Sequence, residues 1–217
     1  MPAHILSTAT AALLLTSSSA FSAIGNHRLN GRTVVHASLD DFKSELAATA
    51  NAIASPGKGI LACDESTGTV GNRLESIGVE NTEEARKVWR GLLFSTPDLG
   101  KYVSGAILYE ETLFQDHPSG KSHVEVLQAN GIIPGIKVDA GLKPLPGGLP
   151  GEQVCTGLDG LPERCASYYA RGARFAKWRT ALKIQPGGPS NLAVQEAAWG
   201  LARYARICQD AGLVPIV

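Results

Sequence analysis

The chain has 217 residues, and its 20 Lys and Arg side chains are balanced by 20 Asp and Glu, so the formal net charge is zero at pH 7. This length is enough for one domain with a substantial core. The charge balance gives no electrostatic support for a nucleic acid or a membrane surface as partner. The four cysteines show no CxxC spacing and no nearby histidine partners, so reduced thiols are favoured over a metal site or a disulfide framework.

The first 37 residues predict a targeting segment rather than a part of the fold. The apolar run at 11–15 is too short to span a bilayer, and small residues follow it up to Ala20, as in a secretory signal. Residues 22–35 contain basic side chains and no acid, which is the composition of a transit peptide. Together these features indicate the two-part presequence used to reach complex plastids. The alternative is a disordered N-terminal segment without a targeting function.

From residue 38 onward, short apolar strands alternate with helical patterns, and a helix over 39–53 precedes the first strand. The predicted strands are 59–63, 104–108, 133–138, 174–178 and 213–217. The predicted helices between them are 82–94, 122–128, 158–172 and 190–211. Repeated β-then-α units imply a parallel sheet with right-handed crossovers. Strands that are almost wholly apolar are expected where helices cover such a sheet.

The chain stops inside the fifth predicted strand, which has no loop or helix after it. Either the sequence is truncated, or the sheet is an open one with this strand at its edge. A (β/α)₈ barrel needs roughly 250 residues, so residues 38–217 would hold only its first part.

Charged residues follow four successive predicted strands at their carboxyl ends. They are Asp64 and Glu65, Glu110 and Glu111, Lys137 and Asp139, and Lys177 and Arg179. Because the site of a parallel α/β fold lies at the carboxyl ends of its strands, this pattern predicts a charged site there. For single residues a structural role remains open, since Glu110 or Glu111 can be solvent-exposed and Asp64 can cap the next helix.

The fourth strand carries two of these cations on one face. Its alternation places Phe175, Lys177 and Arg179 on one side and the two intervening residues on the other. Two cations on a buried strand are costly unless a carboxylate or a phosphate meets them. An edge strand with two solvated cations is the alternative, and the charges after the other strands favour a site.

A hydroxyl-rich loop precedes the predicted helix that carries Arg73. Residues 67–69 read Thr-Gly-Thr, and backbone N–H groups, a hydroxyl and a guanidinium at a helix start suit a phosphate. With Lys137, Lys177 and Arg179, this loop predicts a doubly phosphorylated or strongly anionic small substrate.

Several segments resemble class I (Schiff-base) fructose-bisphosphate aldolase. The resemblance runs from about residue 42 to residue 217 and is carried by residues 55–66, 73–82, 135–139, 157–161, 175–179 and 201–205. Residues 197–200 and 209–217 resemble the plastid branch, in agreement with the presequence.

The resemblance implies a (β/α)₈ TIM barrel, of which this chain holds about the first five β/α units. It also implies reversible cleavage of fructose 1,6-bisphosphate to glycerone phosphate and glyceraldehyde 3-phosphate through a lysine Schiff base, with no metal and no cofactor. A plastid location, a sugar-phosphate substrate and a homotetramer at full length are further expectations, with neither nucleic acid nor membrane as partner.

Individual residues take roles from the same resemblance. Asp64 matches the active-site aspartate that handles substrate hydroxyls and protons, and Lys177 matches the lysine beside the Schiff base. Both are therefore expected to be catalytic. The residues expected to bind substrate are Thr69, Arg73, Arg86, Lys137 and Arg179.

The defining lysine of the family is expected beyond the end of this chain. In the family it lies on the sixth strand, and a catalytic glutamate follows the fifth strand, so both fall after Val217. The isolated chain is therefore expected to be inactive. A non-catalytic half-barrel that binds sugar phosphates or a partner is the alternative function. A metal-dependent aldolase is a third, but the sequence lacks a His-rich ligand set for it.

Overall fold

The computed structural model describes residues 39–217, so the predicted presequence lies outside the described residues. A five-stranded parallel sheet forms its centre. In sheet order, its strands are β1 (Gly59–Cys63), β2 (Val103–Leu108), β3 (Ile133–Lys137), β6 (Phe175–Lys177) and β7 (Val214–Ile216). A separate antiparallel hairpin joins β4 (Leu142–Pro144) to β5 (Gln153–Cys155).

Seven α-helices accompany the strands in the described part of the chain. They are α1 (Leu39–Ile53), α2 (Thr67–Glu75), α3 (Glu83–Phe94), α4 (Glu110–Phe114), α5 (His123–Ala129), α6 (Leu161–Ala170) and α7 (Asn191–Asp210), and a 3₁₀ turn spans Leu99–Lys101. None of the helices within residues 39–217 is long and apolar enough to cross a membrane.

Most predicted elements agree with the structure to within one residue at each end. The exception is the helix predicted over 158–172, which begins only at Leu161. Gly160 precedes it in the left-handed region with φ of 65°, and a proline lies in its first turn, so the chain cannot be helical earlier. The helix α4 and the β4–β5 hairpin were not predicted.

Side-chain caps set where four of the helices begin. The hydroxyls of Ser66, Thr82, Ser122 and Ser190 each accept a hydrogen bond from the backbone N–H three residues later. This bond satisfies a donor that has no partner inside the helix, and such caps typically contribute about 1 kcal/mol. At Ser122 the cap is reciprocal, because Glu125 accepts from the Ser122 N–H.

The two faces of the sheet bury different sets of side chains. The larger apolar core lies between sheet and helices, and it includes Ala176, Trp178 and Tyr204. A smaller cluster on the opposite face joins Ile53, Ile107 and Phe175. The alternation predicted for the fourth strand is therefore confirmed, since Phe175 and Ala176 belong to different clusters. In a barrel these two faces become the outside and the inside.

His123 is fully buried in the larger core, edge-on to the ring of Phe94 with centroids 5.3 Å apart. Neither of its ring nitrogens has a hydrogen-bond partner among the described residues. Burial lowers the pKa of His123 from its ordinary 6.5 to about 4, with smaller contributions from His117, Lys87 and Arg90. The imidazole is therefore neutral and acts as an apolar ring at neutral pH.

His123 should make the stability of the fold depend on acidity. As the pH falls below 6.5, the unfolded chain binds a proton that the buried ring does not, so the free energy of unfolding decreases until about pH 4. The loss from this residue is about 3 kcal/mol. His123→Phe keeps the ring packing without a titrating group, so its urea-unfolding midpoint should decline less with acid than that of the wild type. An identical decline in both proteins would contradict this assignment.

Candidate functional site

A cavity of about 620 Å³ opens at the carboxyl ends of the parallel strands. Its walls come from the ends of β1, β2, β3 and β6 and from the helices that follow them. The lining residues are Asp64, Glu65, Ser66, Thr69, Tyr109, Glu110, Lys137, Asp139, Ala140, Gly141, Arg164, Tyr168, Lys177 and Arg179.

Two lysine–carboxylate pairs lie side by side in this cavity. Lys137 and Lys177 are register partners on the neighbouring strands β3 and β6. The Lys177 ammonium lies 2.7 Å from Asp64 Oδ2, and the Lys137 ammonium lies 2.8 Å from Asp139 Oδ1. Each pair is mostly buried, and removal of one partner would leave an uncompensated charge.

Asp139 is held firmly in its pair with Lys137. Its Oδ1 also accepts a hydrogen bond from the Gly141 N–H at 3.1 Å, and its backbone oxygen accepts a second bond from Lys137 at 2.7 Å. Its other carboxylate oxygen is buried and has no partner among the described residues. Lys137 is thus fixed by both the side chain and the main chain of a residue two positions later.

The turn after β1 carries three adjacent lining residues, Asp64, Glu65 and Ser66. Burial is the largest single influence on the Glu65 carboxyl and favours its neutral form. The hydrogen bond from Arg90, a backbone hydrogen bond and the charges of Arg90 and Arg73 together outweigh burial and hold the pKa of Glu65 below its ordinary value. Ser66 caps α2 and lies 3.1 Å from the Thr69 hydroxyl, so both hydroxyls face the cavity edge. Cys63, immediately before the turn, has its pKa raised to about 12, mainly by burial, and is a neutral thiol.

Five of the seven residues predicted for the site line this cavity: Asp64, Thr69, Lys137, Lys177 and Arg179. Arg73 is not among the lining residues. It pairs with Glu65 Oε1 at 3.2 Å and keeps its side chain 54% exposed, so it lies beside the cavity at the level of the lining turn.

Arg86 is engaged away from the cavity. Its guanidinium makes hydrogen bonds of 2.8 and 2.6 Å to the two Glu111 carboxylate oxygens and a third, of 2.9 Å, to Asn81. This bidentate pair ties α3 to α4. The structure therefore does not bring Arg86 together with the other predicted residues, and its role in substrate binding stays a prediction.

The pattern of charged residues after the predicted strands did not identify two of the cavity-lining residues, which lie on α6. Arg164 donates a hydrogen bond of 3.0 Å to the Val138 carbonyl oxygen and a second bond to Gly157, and Tyr168 lies one helical turn later. The i, i+4 spacing places both on one helix face. The i, i+4 spacing of Arg164 and Tyr168 was the sequence signal from which their shared helix face could have been predicted.

The arrangement suits an anionic polyol. Lys137, Lys177 and Arg179 supply positive charge, and Asp64 supplies a carboxylate at hydrogen-bond distance from Lys177. Such a group can exchange a proton with a substrate hydroxyl, and the cations can hold phosphates. Within residues 39–217, no cluster of three or more His, Cys, Asp or Glu side chains could hold a metal ion.

Comparison with known proteins identifies the family. Residues 45–217 match the family described as fructose-bisphosphate aldolase class-I. Fructose-bisphosphate aldolase 1, chloroplastic, of Arabidopsis thaliana is 58% identical over 205 residues, which cover 94% of this chain and 51% of the relative. The enzyme of the same name from Chlamydomonas reinhardtii is 55% identical over 206 residues, covering 95% of this chain and 54% of the relative.

A solved structure confirms the fold. It is fructose-bisphosphate aldolase from Plasmodium falciparum in complex with TRAP and a small molecule inhibitor, with a TM-score of 0.79 and 55% identity. The alignment covers 82% of this chain and 51% of that chain. The predicted partial (β/α)₈ barrel is thereby confirmed, and residues 39–217 hold five of its parallel strands.

The chain spans about half the length of the curated relatives it matches. These relatives are named chloroplastic, which supports the plastid location predicted from the N-terminal segment. The family match, the sequence identity and the shared fold lead to one conclusion. The chain belongs to the class-I fructose-bisphosphate aldolase family.

Proposed function

We propose that this chain is the N-terminal part of a plastid fructose-bisphosphate aldolase. The full-length enzyme would reversibly cleave fructose 1,6-bisphosphate to glycerone phosphate and glyceraldehyde 3-phosphate through a Schiff base on a lysine located after Val217. The observation that carries the proposal is the pair of register-matched lysines, each with its own carboxylate, inside a cavity at the strand ends.

Lys177 would tune the Schiff-base amine. An ammonium close to a second amine disfavours protonation of that amine, so more of it remains nucleophilic at neutral pH. The pair with Asp64 at 2.7 Å fixes the orientation of Lys177. An aldolase of this class needs such a neighbour, because only a neutral amine attacks the substrate carbonyl.

Asp64 would handle the proton of the cleavage step. Breaking the carbon–carbon bond beside an iminium requires a base at the hydroxyl that becomes the aldehyde, and a carboxylate in the cavity supplies one. Asp64 directly follows β1, whose last residue is Cys63, so it is mounted next to the sheet. A rigid mount suits a group that must meet one hydroxyl of a bound sugar.

The phosphates would be held by cations near and beside the cavity. Lys137 and Arg179 line it, and Arg73 lies next to it on α2. Thr69 adds a hydroxyl in the first turn of that helix, whose dipole favours an anion. For Arg86 the proposed substrate contact would require release from Glu111.

The full-length protein is also proposed to form a homotetramer. Support comes from apolar side chains exposed on α7, namely Leu192, Val194 and Trp199, the last 71% exposed. Leu192 and Trp199 are seven residues apart and share one face of α7, and exposed apolar side chains grouped in this way are typical of protein interfaces. Light scattering of the full-length protein at the mass of a single chain would contradict this assembly.

The first test is to read the transcript beyond the Val217 codon and to assay the encoded protein. A continuation that contains a lysine-bearing sixth strand, with a product that cleaves fructose 1,6-bisphosphate and can be trapped covalently by borohydride, is the expected result. A stop codon directly after Val217 would instead favour the half-barrel that binds phosphates without cleaving them. Loss of activity with a chelator would point to a metal-dependent aldolase.

Substitution of the paired residues should act on turnover. In the full-length protein, Asp64→Ala and Lys177→Ala should each lower kcat by about 100-fold or more, because each removes a group used in the chemical step. Steady-state kinetics with fructose 1,6-bisphosphate provides the measurement. Unchanged turnover in both variants would contradict the roles assigned to them.

Arg73→Ala should affect binding of a phosphate rather than chemistry. KM should rise more for fructose 1,6-bisphosphate than for fructose 1-phosphate, because only the bisphosphate presents the second anion to this residue. The two substrates are compared under identical conditions with the full-length variant. An equal rise for both would exclude Arg73 from that phosphate site.

A further inference from the structure

Arg90 on α3 is the most deeply buried of the Lys and Arg side chains in the described part of the chain, with 2% of its surface exposed. It does not line the cavity, and neither the strand-end pattern nor the family resemblance assigned it a role. A guanidinium buried to this extent is costly unless its donors are satisfied by an anion and by further hydrogen bonds.

The Arg90 guanidinium donates two hydrogen bonds to one residue, Glu65. One nitrogen donates to the Glu65 carboxylate, and a second donates to the Glu65 backbone oxygen at 2.7 Å. The planar fork of arginine suits such a two-point contact, which a lysine cannot reproduce. Because one bond goes to the main chain, Arg90 fixes the turn itself and not only a side chain.

That turn controls two features of the site. Its preceding residue, Asp64, pairs with Lys177, and its following residue, Ser66, caps α2. The second carboxylate oxygen of Glu65 also pairs with Arg73, at 3.2 Å. A displacement at Glu65 would therefore move both the carboxylate expected to act as base and the cation expected to bind phosphate.

We propose that Arg90 is a positioning residue of the active site, which holds the turn from Asp64 to Ser66 in place and, through Glu65, sets the position of Arg73. This inference rests on the proposed aldolase function for its kinetic consequences. Its structural part, the control of Glu65 by Arg90, does not depend on that function.

A merely structural role for Arg90 would have different consequences. The charged and titratable groups that act with Glu65 are Arg90 from α3, Arg73 from α2 and Cys63 at the end of β1. Without Arg90, burial raises the pKa of Glu65, and protonation releases Arg73. A pH profile therefore separates positioning from simple support of the fold.

The test compares Arg90→Met and Arg90→Lys in the full-length protein. Arg90→Met should lower kcat/KM by about 100-fold, since displacement of a catalytic group by an ångström costs on that order. The acidic limb of the kcat/KM pH profile of Arg90→Met should also move to higher pH. Arg90→Lys keeps the charge but not the fork, so it should retain the wild-type acid limb while recovering only part of kcat/KM.

Arg174→Met is the matched control. Arg174 also pairs with a carboxylate, Glu45, at 3.0 Å, but it precedes β6 at the end of the sheet opposite the cavity. This variant should lower the thermal unfolding midpoint and leave kcat/KM and its pH profile unchanged. If Arg90→Met behaves in the same way, with a lower midpoint only, the positioning role is overturned.

A double variant isolates the pathway through Glu65. Arg90→Met with Glu65→Gln removes the carboxylate that would become protonated, so the shifted acid limb of Arg90→Met should disappear. If the limb remains shifted in the double variant, Arg90 does not act through the charge of Glu65, and the proposal fails.

Failure of the aldolase function would be visible separately. If the wild-type full-length protein cleaves no sugar phosphate, the proposed function falls, and the Glu65 carboxyl is then titrated by ¹³C NMR in wild type and in both Arg90 variants. Its pKa should be raised in Arg90→Met and nearer the wild-type value in Arg90→Lys. An unchanged Glu65 pKa in Arg90→Met overturns the inference. If Arg90→Met does not fold, hydrogen exchange at Arg73 in Arg90→Lys is the deciding measurement, and exchange unaltered from the wild type overturns the inference.

Discussion

The site depends on two lysines that meet at the same level of neighbouring parallel strands. Lys137 and Lys177 are register partners, and their like charges would repel each other in a partly buried cavity. Asp139 and Asp64 resolve this conflict by each neutralising one ammonium within 2.8 Å. The pairs make the local charge balanced before any substrate arrives, so the lysines can remain charged without full hydration.

The register that creates this contact is itself fixed by packing inside the sheet. Two residues before the lysines, Gly135 is the partner of Phe175. The Phe175 ring covers Gly135 so closely that a Cβ there would clash with it. Only glycine allows this approach, and a slip by one residue would turn Phe175 out of its cluster and the lysines out of the cavity. The same register of β3 and β6 therefore satisfies both the packing of Phe175 and the placement of the two lysines.

The sequence allowed prediction of features that follow from local periodicity. The alternation at Phe175, Lys177 and Arg179 has a period of two, and charges directly after apolar strands mark one edge of a parallel sheet. The hairpin β4–β5 escaped prediction because glycines and prolines separate its three-residue strands and resemble a loop. The helix α4 has only five residues, too few to show a period. Arg90 was not predicted because its partner Glu65 lies 25 residues away, a contact that no local pattern encodes. For Arg164 the i, i+4 spacing from Tyr168 indicated a shared helix face, but not the contact with Val138, 26 residues away.

The distribution of charge between the cavity interior and its rim matches the demands of a phosphorylated substrate. The buried cations already have partners: Lys137 and Lys177 inside the cavity, and Arg90 outside its lining, each pair with a carboxylate at short range and are largely removed from water. The rim cations differ, since Arg73 is half-exposed in a longer pair and Arg179 is exposed. A phosphate that enters can recruit the rim cations at small cost, because a solvent-exposed pair contributes at most about 1 kcal/mol. Lys137 would have to meet a phosphate without releasing Asp139, because release would leave a buried carboxylate without its partner. The fold thus holds rigidly the groups that chemistry requires to be placed accurately. It leaves Arg73 and Arg179, which need only approach a charged phosphate, free to adjust.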